Sequence, residues 1–194
     1  YLSADAHFGL GLAEYNRQNY RAALFEFGEV TRLFPDRFDG HFNRAVTLAQ
    51  LRRAEEAVAA FQEALVQASP EAGRAARASA QLGLAGQLET LGRFDEAADA
   101  YGAAARLSRR TPDLVLAKSE ALYRAGRGLE ALPDLTALEA RGDDPRTSAL
   151  IADVYLQAKQ TDYALGALNR AYRRAVAAGN AQVAADVLLQ RGLL

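Results

Sequence analysis

Overlaid on itself at a shift of 34 residues, the chain repeats. The order of small and large residues running from Gly11 to Phe27, and closing at Pro35, returns one register later as Ala45, Leu48, Ala57, Phe61 and Ala64. A period in this range marks stacked supersecondary units, none of which can bury its apolar face without a neighbour. Length therefore counts repeats rather than setting the size of one core.

Composition supports helices and removes several kinds of chemistry. There are 43 alanines among 194 residues, and alanine is the best helix former and lets helices approach closely. The net charge is −1, with no acidic or basic block, so neither a nucleic-acid surface nor a membrane-binding face is indicated. Arginine outnumbers lysine 21 to 2, which with the alanine and leucine excess reads as the bias of a GC-rich bacterial genome. The absence of cysteine excludes disulfides, thiol nucleophiles and cysteine metal sites. No run of 18 apolar residues exists, so no membrane span is expected. Methionine is absent even at position 1, so the chain is expected to be a processed or excised piece, and its localisation is not encoded.

Five units align as a single array over residues 1–194, at about 4–36, 40–69, 78–110, 112–144 and 145–178, with a terminal helix over 181–194. Ser3 is the expected N-cap of the first helix and Asn19 that of the second. Thr111-Pro112 and Asp144-Pro145 each put a capping side chain before a proline at the first helical position, where its missing N–H costs nothing. Gly92 and Gly126, 34 apart, fall in the tight turn inside their repeats, where a left-handed conformation suits glycine. The period slips by six residues between Ser69 and Ala78. Ser69-Pro70-Glu71 reads as a helix start, which would extend the first helix of the third unit by one to two turns; a loop is the alternative. The terminal segment is either a cap on the stack or half of a sixth repeat, and its apolar Val187, Leu188, Leu193 and Leu194 predict self-association if uncovered.

The recurring slots of the third unit (Leu84, Ala85, Leu88, Gly92, Phe94, Ala97, Tyr101 and Ala104), with those of the other four, resemble the tetratricopeptide repeat family over about residues 4–178. The resemblance departs at the large aromatic slot near each repeat start, filled by His7, His41, Gln81, Val115 and Ser148. It implies an all-α, right-handed superhelical solenoid of antiparallel helix pairs. It also implies a concave groove lined by the first helices, taking an extended or helical peptide of a partner protein. Positions facing such a groove recur at i, i+3, i+7 and i+10. Carried over, they give Phe8, Leu12 and Tyr15; Phe42 and Val46 with Asn43 and Gln50 beside them; Leu82; Glu120, Tyr123 and Arg124; and Asp153. The first units also place Asp5 and Asp39 at the edge, and the fourth adds Leu116. The N-terminal half of this groove is aromatic and aliphatic, which suits a segment with hydrophobic anchors. Alternatively, Phe8, Leu12 and Phe42 pack against a preceding helix. A clamp for a terminal carboxylate, known in some members, is not expected, because only Asn43 fits it and Phe8, Leu12, Ser79 and Gly83 fill the other slots.

Signals of chemistry have ordinary structural readings. His7 and His41, the only histidines, hold equivalent slots, but no third ligand recurs in register, so no metal is expected. Glu55-Glu56, Asp95-Glu96 and Asp143-Asp144 lie at helix starts, where the dipole favours them. Arg109-Arg110 and Arg173-Arg174 lie late in second helices, and phosphate binding there is the sharper alternative. No phosphate loop or catalytic triad is recognisable, and no cofactor is expected. The expected function is a non-enzymatic interaction scaffold; the alternative is a structural segment of a longer solenoid that continues the array or self-associates.

Overall fold

The computed structural model of the protein describes residues 3–68, 73–108, 111–142 and 144–192. Among them lie eleven α-helices and no strand, in agreement with the all-α reading. The chain divides into two compact units, residues 1–109 and 110–194. The first holds α1 (Ala4–Asn16), α2 (Tyr20–Leu33), α3 (Phe38–Gln50), α4 (Ala54–Val66), α5 (Gly73–Thr90) and α6 (Phe94–Leu107). The second holds α7 (Pro112–Arg124), α8 (Leu132–Glu139), α9 (Pro145–Gln157), α10 (Thr161–Ala177) and α11 (Ala181–Gly192). A 3₁₀ turn, Gly128–Ala131, leads into α8.

One turn is used six times. Between α1 and α2, α3 and α4, α5 and α6, α7 and the 3₁₀ turn, α9 and α10, and α10 and α11, the chain spends three residues. The middle residue always has positive φ: Gln18 63°, Arg52 60°, Gly92 73°, Gly126 80°, Lys159 59° and Gly179 67°. The third residue donates its N–H back to a carbonyl five positions earlier, as in Arg53 to Leu48 at 3.0 Å, Arg93 to Leu88 at 2.9 Å and Arg127 to Leu122 at 2.8 Å. This is the left-handed helix ending that satisfies orphan carbonyls, and a link this short folds the next helix back against the last. Glycine holds this place at three of the six turns; the other three carry a side chain in a conformation that suits glycine better.

Helix starts follow local chemistry. Ser3, Thr111 and Asp144 cap as expected, accepting from the N–H groups of Ala6, Leu114 and Arg146. Asn19 does not: its side chain donates instead to Glu14 at 2.8 Å, and α2 begins without a side-chain cap. Three second helices share a different device. Arg53, Arg93 and Arg127 stand just before the helix and clasp Glu56, Glu96 and Glu130 in its first turn through paired hydrogen bonds of 2.6 to 2.8 Å. The expected lengthening of the third unit's first helix is present: α5 has 18 residues where α1, α3, α7 and α9 have 13. Its proposed start at Ser69-Pro70-Glu71 lies outside the described residues, as do Asp143, Arg109-Arg110 and Leu193-Leu194.

The core consists of alanines at helix crossings and one large side chain per layer. Ala23, Ala57, Ala97, Ala131, Ala164 and Ala171 are buried, with Phe27, Phe61, Leu135 and Leu168 beside them. Close approach sometimes demands glycine: a Cβ at Gly11 would meet the Phe27 ring at 2.6 Å, and one at Gly83 the Phe61 ring at 2.3 Å. In the C-terminal unit, Pro133 lacks the N–H that a continuous helix from Gly128 would use, so the backbone tightens to 3₁₀ and α8 runs only eight residues.

Of the polar residues in the aromatic slot, His7, His41 and Ser148 are partnered. His7 Nδ1 lies 2.6 Å from Glu26, and His41 bridges Glu63 and the Pro35 carbonyl. Ser148 donates to Glu139 at 2.5 Å and accepts from Arg174 at 2.7 Å, while Arg170 reaches the same carboxylate at 3.0 Å. Arg174 is thus a structural counter-ion of α10, not one half of an exposed anion site. Burial disfavours charge on Glu139, but the hydrogen bonds from Ser148 and Arg170 and the charges of both arginines outweigh it and hold its pKa below the ordinary value.

Candidate binding face

In the N-terminal unit the predicted residues lie on the first helices, but with unequal freedom. Leu12 and Leu82 are exposed at 39% and 40%, and Gln50 is exposed. Phe8, Tyr15, Phe42, Asn43 and Val46 are half-buried. Phe8 leans on Phe27 with ring centroids 5.9 Å apart, and the Arg37 guanidinium lies 5.1 Å from its ring centre. Arg37 in turn holds Asp5 at 2.6 Å and Asp39 at 2.7 Å. Phe42 is stacked on Phe38 and meets Phe61 edge-on at 6.0 Å. Tyr15 packs edge-on against Tyr20. Asn43 turns its amide back onto its own helix, donating to the Asp39 carbonyl at 2.8 Å. The aromatic residues here are thus committed to internal packing on one side. Of the predicted groove residues in this unit, the freely presented apolar ones are Leu12 and Leu82.

In the C-terminal unit the structure brings four predicted residues together. Glu120, Tyr123 and Arg124 of α7 and Asp153 of α9 line one cleft of about 410 Å³. Arg146, Ala149 and Leu150 complete the α9 wall, and α11 closes the far side with Val183, Asp186, Val187 and Gln190. Each helix contributes one stripe at spacings of three and four. Leu116, placed on the same stripe by the sequence, is buried.

The α11 wall was not anticipated. The signal was present, because Val183 and Val187 stand 34 residues after Ala149 and Asp153. The terminal helix therefore repeats the register of a first helix. Val187, one of the apolar residues whose cover the sequence left open, is buried; its neighbours Leu188 and Leu189 are exposed at 47% and 69%. Asp153 accepts a hydrogen bond from Gln190 at 3.0 Å. Burial raises its pKa, and the Gln190 hydrogen bond opposes that only in part. Arg146 sits at the rim, paired with Asp144 at 2.7 Å and Asp113 at 3.5 Å. Among the described residues no three histidine or acidic side chains converge as a metal site, and no helix is long and apolar enough to cross a membrane.

A stack of short helix pairs whose first helices present a stripe of mixed apolar and polar groups defines a helical-repeat interaction scaffold. The chain belongs to the tetratricopeptide repeat family, whose model matches residues 8–73 and 82–145. Proteins of this family bind peptide or protein partners, and the family is generally non-catalytic. Among solved structures the chain is similar to YrrB, described as a tetratricopeptide repeat protein with an unusual peptide-binding site (TM-score 0.79, 15% identity, 99% of this chain and 93% of that one). It is also similar to MamA (TM-score 0.75, 13% identity, covering 92% and 95%) and to PilF of Pseudomonas aeruginosa (TM-score 0.64, 18% identity, covering 97% and 82%). At these identities the likeness is one of fold. No curated protein sequence matches the chain.

Proposed function

We propose that this protein is a non-enzymatic scaffold that binds a peptide or helix of a partner protein along the stripes of its first helices, with the five helix pairs acting as one array. The observation carrying this reading is the cleft between α7, α9 and α11, where Ala149, Leu150, Val183 and Val187 offer apolar area beside Glu120 and Asp153. Apolar area with a few placed polar groups is the usual make-up of a recognition site. In the N-terminal unit, Leu12 and Leu82 present exposed apolar side chains on first helices of that unit. The likeness to a peptide-binding repeat protein supports the reading.

The test is affinity capture with the full chain, repeated with Ala149→Arg, Leu12→Arg and Leu82→Arg, and with Phe25→Arg on an exposed position of α2 as control. Binding that depends on Ala149, Leu12 or Leu82 and ignores Phe25 agrees with the proposal. A partner lost only on Phe25→Arg would refute it. A second reading, that the chain chiefly associates with itself, is favoured by Leu188 and Leu189 on the exposed side of α11. Sedimentation of Leu188→Glu and Leu189→Glu against the parent over a wide concentration range distinguishes it.

A further inference from the structure

The short α8 leaves a second hollow in the C-terminal unit, of about 510 Å³, none of whose lining residues belongs to the cleft. Pro112, Val115, Ala137 and Leu138 form its apolar side. Its polar side is Asp134, Arg141, Asp144 and Thr147. Two of these charges are already neutralised: Lys118 holds Asp134 at 3.0 Å, and Arg146 holds Asp144 at 2.7 Å. Arg141 has no side-chain partner among the described residues, so one positive charge stands uncompensated at the wall. Thr147, almost wholly buried, carries a hydroxyl with no hydrogen-bond partner. Buried polar groups in folded proteins are nearly always satisfied, so an orphan hydroxyl on a residue that lines a hollow is a group open to a partner.

We infer that this hollow is a binding site for a small amphiphilic carboxylate. Its alkyl or aryl body lies between Val115 and Leu138. Its carboxylate pairs with the Arg141 fork, which matches planar carboxylates in a bidentate manner. The Thr147 hydroxyl is the further donor at the wall. A single unpaired guanidinium suits a monoanion; a dianionic phosphate would bring a second charge with no counterpart. The volume lies within the range of small-molecule sites. This site is independent of peptide binding by the first helices.

The test is an NMR titration of the full chain with sodium octanoate, with 1-octanol as the neutral control. Octanoate is expected to shift the amides of Val115, Leu138, Arg141 and Thr147 saturably, with octanol binding roughly tenfold or more weakly, the factor that one charge-assisted hydrogen-bonded pair supplies. Arg141→Gln, at an exposed position, removes that difference. Thr147→Val weakens octanoate while leaving the fold in place. Leu138→Trp fills the hollow and abolishes both, and because the chain has no tryptophan, the indole emission reports its burial. If Leu138→Trp fails to fold, Arg141→Gln alone decides. No saturable shift at these amides, meaning a hollow that holds only water, overturns the inference. So does equal affinity for octanol, or octanoate binding unchanged in Arg141→Gln.

Discussion

Gln190 of α11 donates a hydrogen bond to Asp153 of α9 at 3.0 Å, and this contact ties the last helix to the wall of the candidate cleft. Burial raises the pKa of Asp153. The folded state therefore holds its proton more tightly than the unfolded chain does. The associated stability is fully present below the ordinary aspartate value and is lost as pH rises through the raised one. Asp153→Asn keeps an acceptor for Gln190 without the charge. It should raise the melting temperature at neutral pH and flatten the pH dependence, as thermal unfolding between about pH 4 and pH 8 would show. A lower melting temperature at neutral pH would mean that the ionised group is favoured there.

Glu139 should give the opposite slope. Its pKa is depressed, so its contribution is present above the ordinary glutamate value and lost as pH falls through the folded one. Glu139→Gln leaves Arg170 and Arg174 without their carboxylate and should cost about 1.5–3 kcal/mol, the range for hydrogen bonds to charged groups. Urea unfolding of the variant measures this directly, and a change below the noise would show that the arginines find solvent instead.

The shared turn predicts a gain of stability from an unexpected substitution. Arg52 sits at φ 60° where Gly92 and Gly126 occupy the equivalent place. Arg52→Gly should relieve left-handed strain of about 1–2 kcal/mol, less the entropy glycine loses on folding, for a net gain of about 0.5–1 kcal/mol. Lys159→Gly should do the same in the C-terminal unit. Equilibrium denaturation that shows both variants less stable would contradict the strain.

Two glycines in α5, three residues apart, should respond with opposite signs. A Cβ at Gly83 falls within 2.3 Å of the buried Phe61 ring, whereas at Gly86 it meets nothing within 4 Å. Gly83→Ala should cost about 1–3 kcal/mol through overpacking. Gly86→Ala should stabilise the helix by about 0.5–1 kcal/mol. If both variants gain stability by calorimetry, α4 and α5 approach less closely than described.

What the sequence disclosed was local. Thr111-Pro112, Asp144-Pro145, Gly92 and Gly126 carry their geometry within a few residues, and each stands where it was expected. The alanine crossings were legible because 34-residue spacing picks out equivalent depth. Asn19 misled because its amide had a choice between its own helix and Glu14. Arg37 was not legible as the residue lying over Phe8, since it joins Asp5, 32 positions away, to Asp39. The cleft was half visible: α7 and α9 were read, while α11 was weighed as a cap or half of a sixth repeat and not as a wall of the groove. Ser148 looked like a gap in an aromatic slot, and only the fold shows Glu139 and Arg174 filling it.

The five residues by which α5 outruns the other first helices all precede Ala78, where the repeat pattern resumes. They lengthen the helix by roughly 7 Å, at 1.5 Å per residue, without shifting the phase of Leu84, Ala85 and Leu88 against α4 and α6. Insertion and periodicity are thereby uncoupled: a seam between repeats absorbs added chain as overhang, and everything downstream keeps its place. Residues added inside a three-residue turn would have no such outlet, because there the same backbone bond must close on a fixed carbonyl. Growth of such a chain is thus permitted at one kind of joint and forbidden at the other.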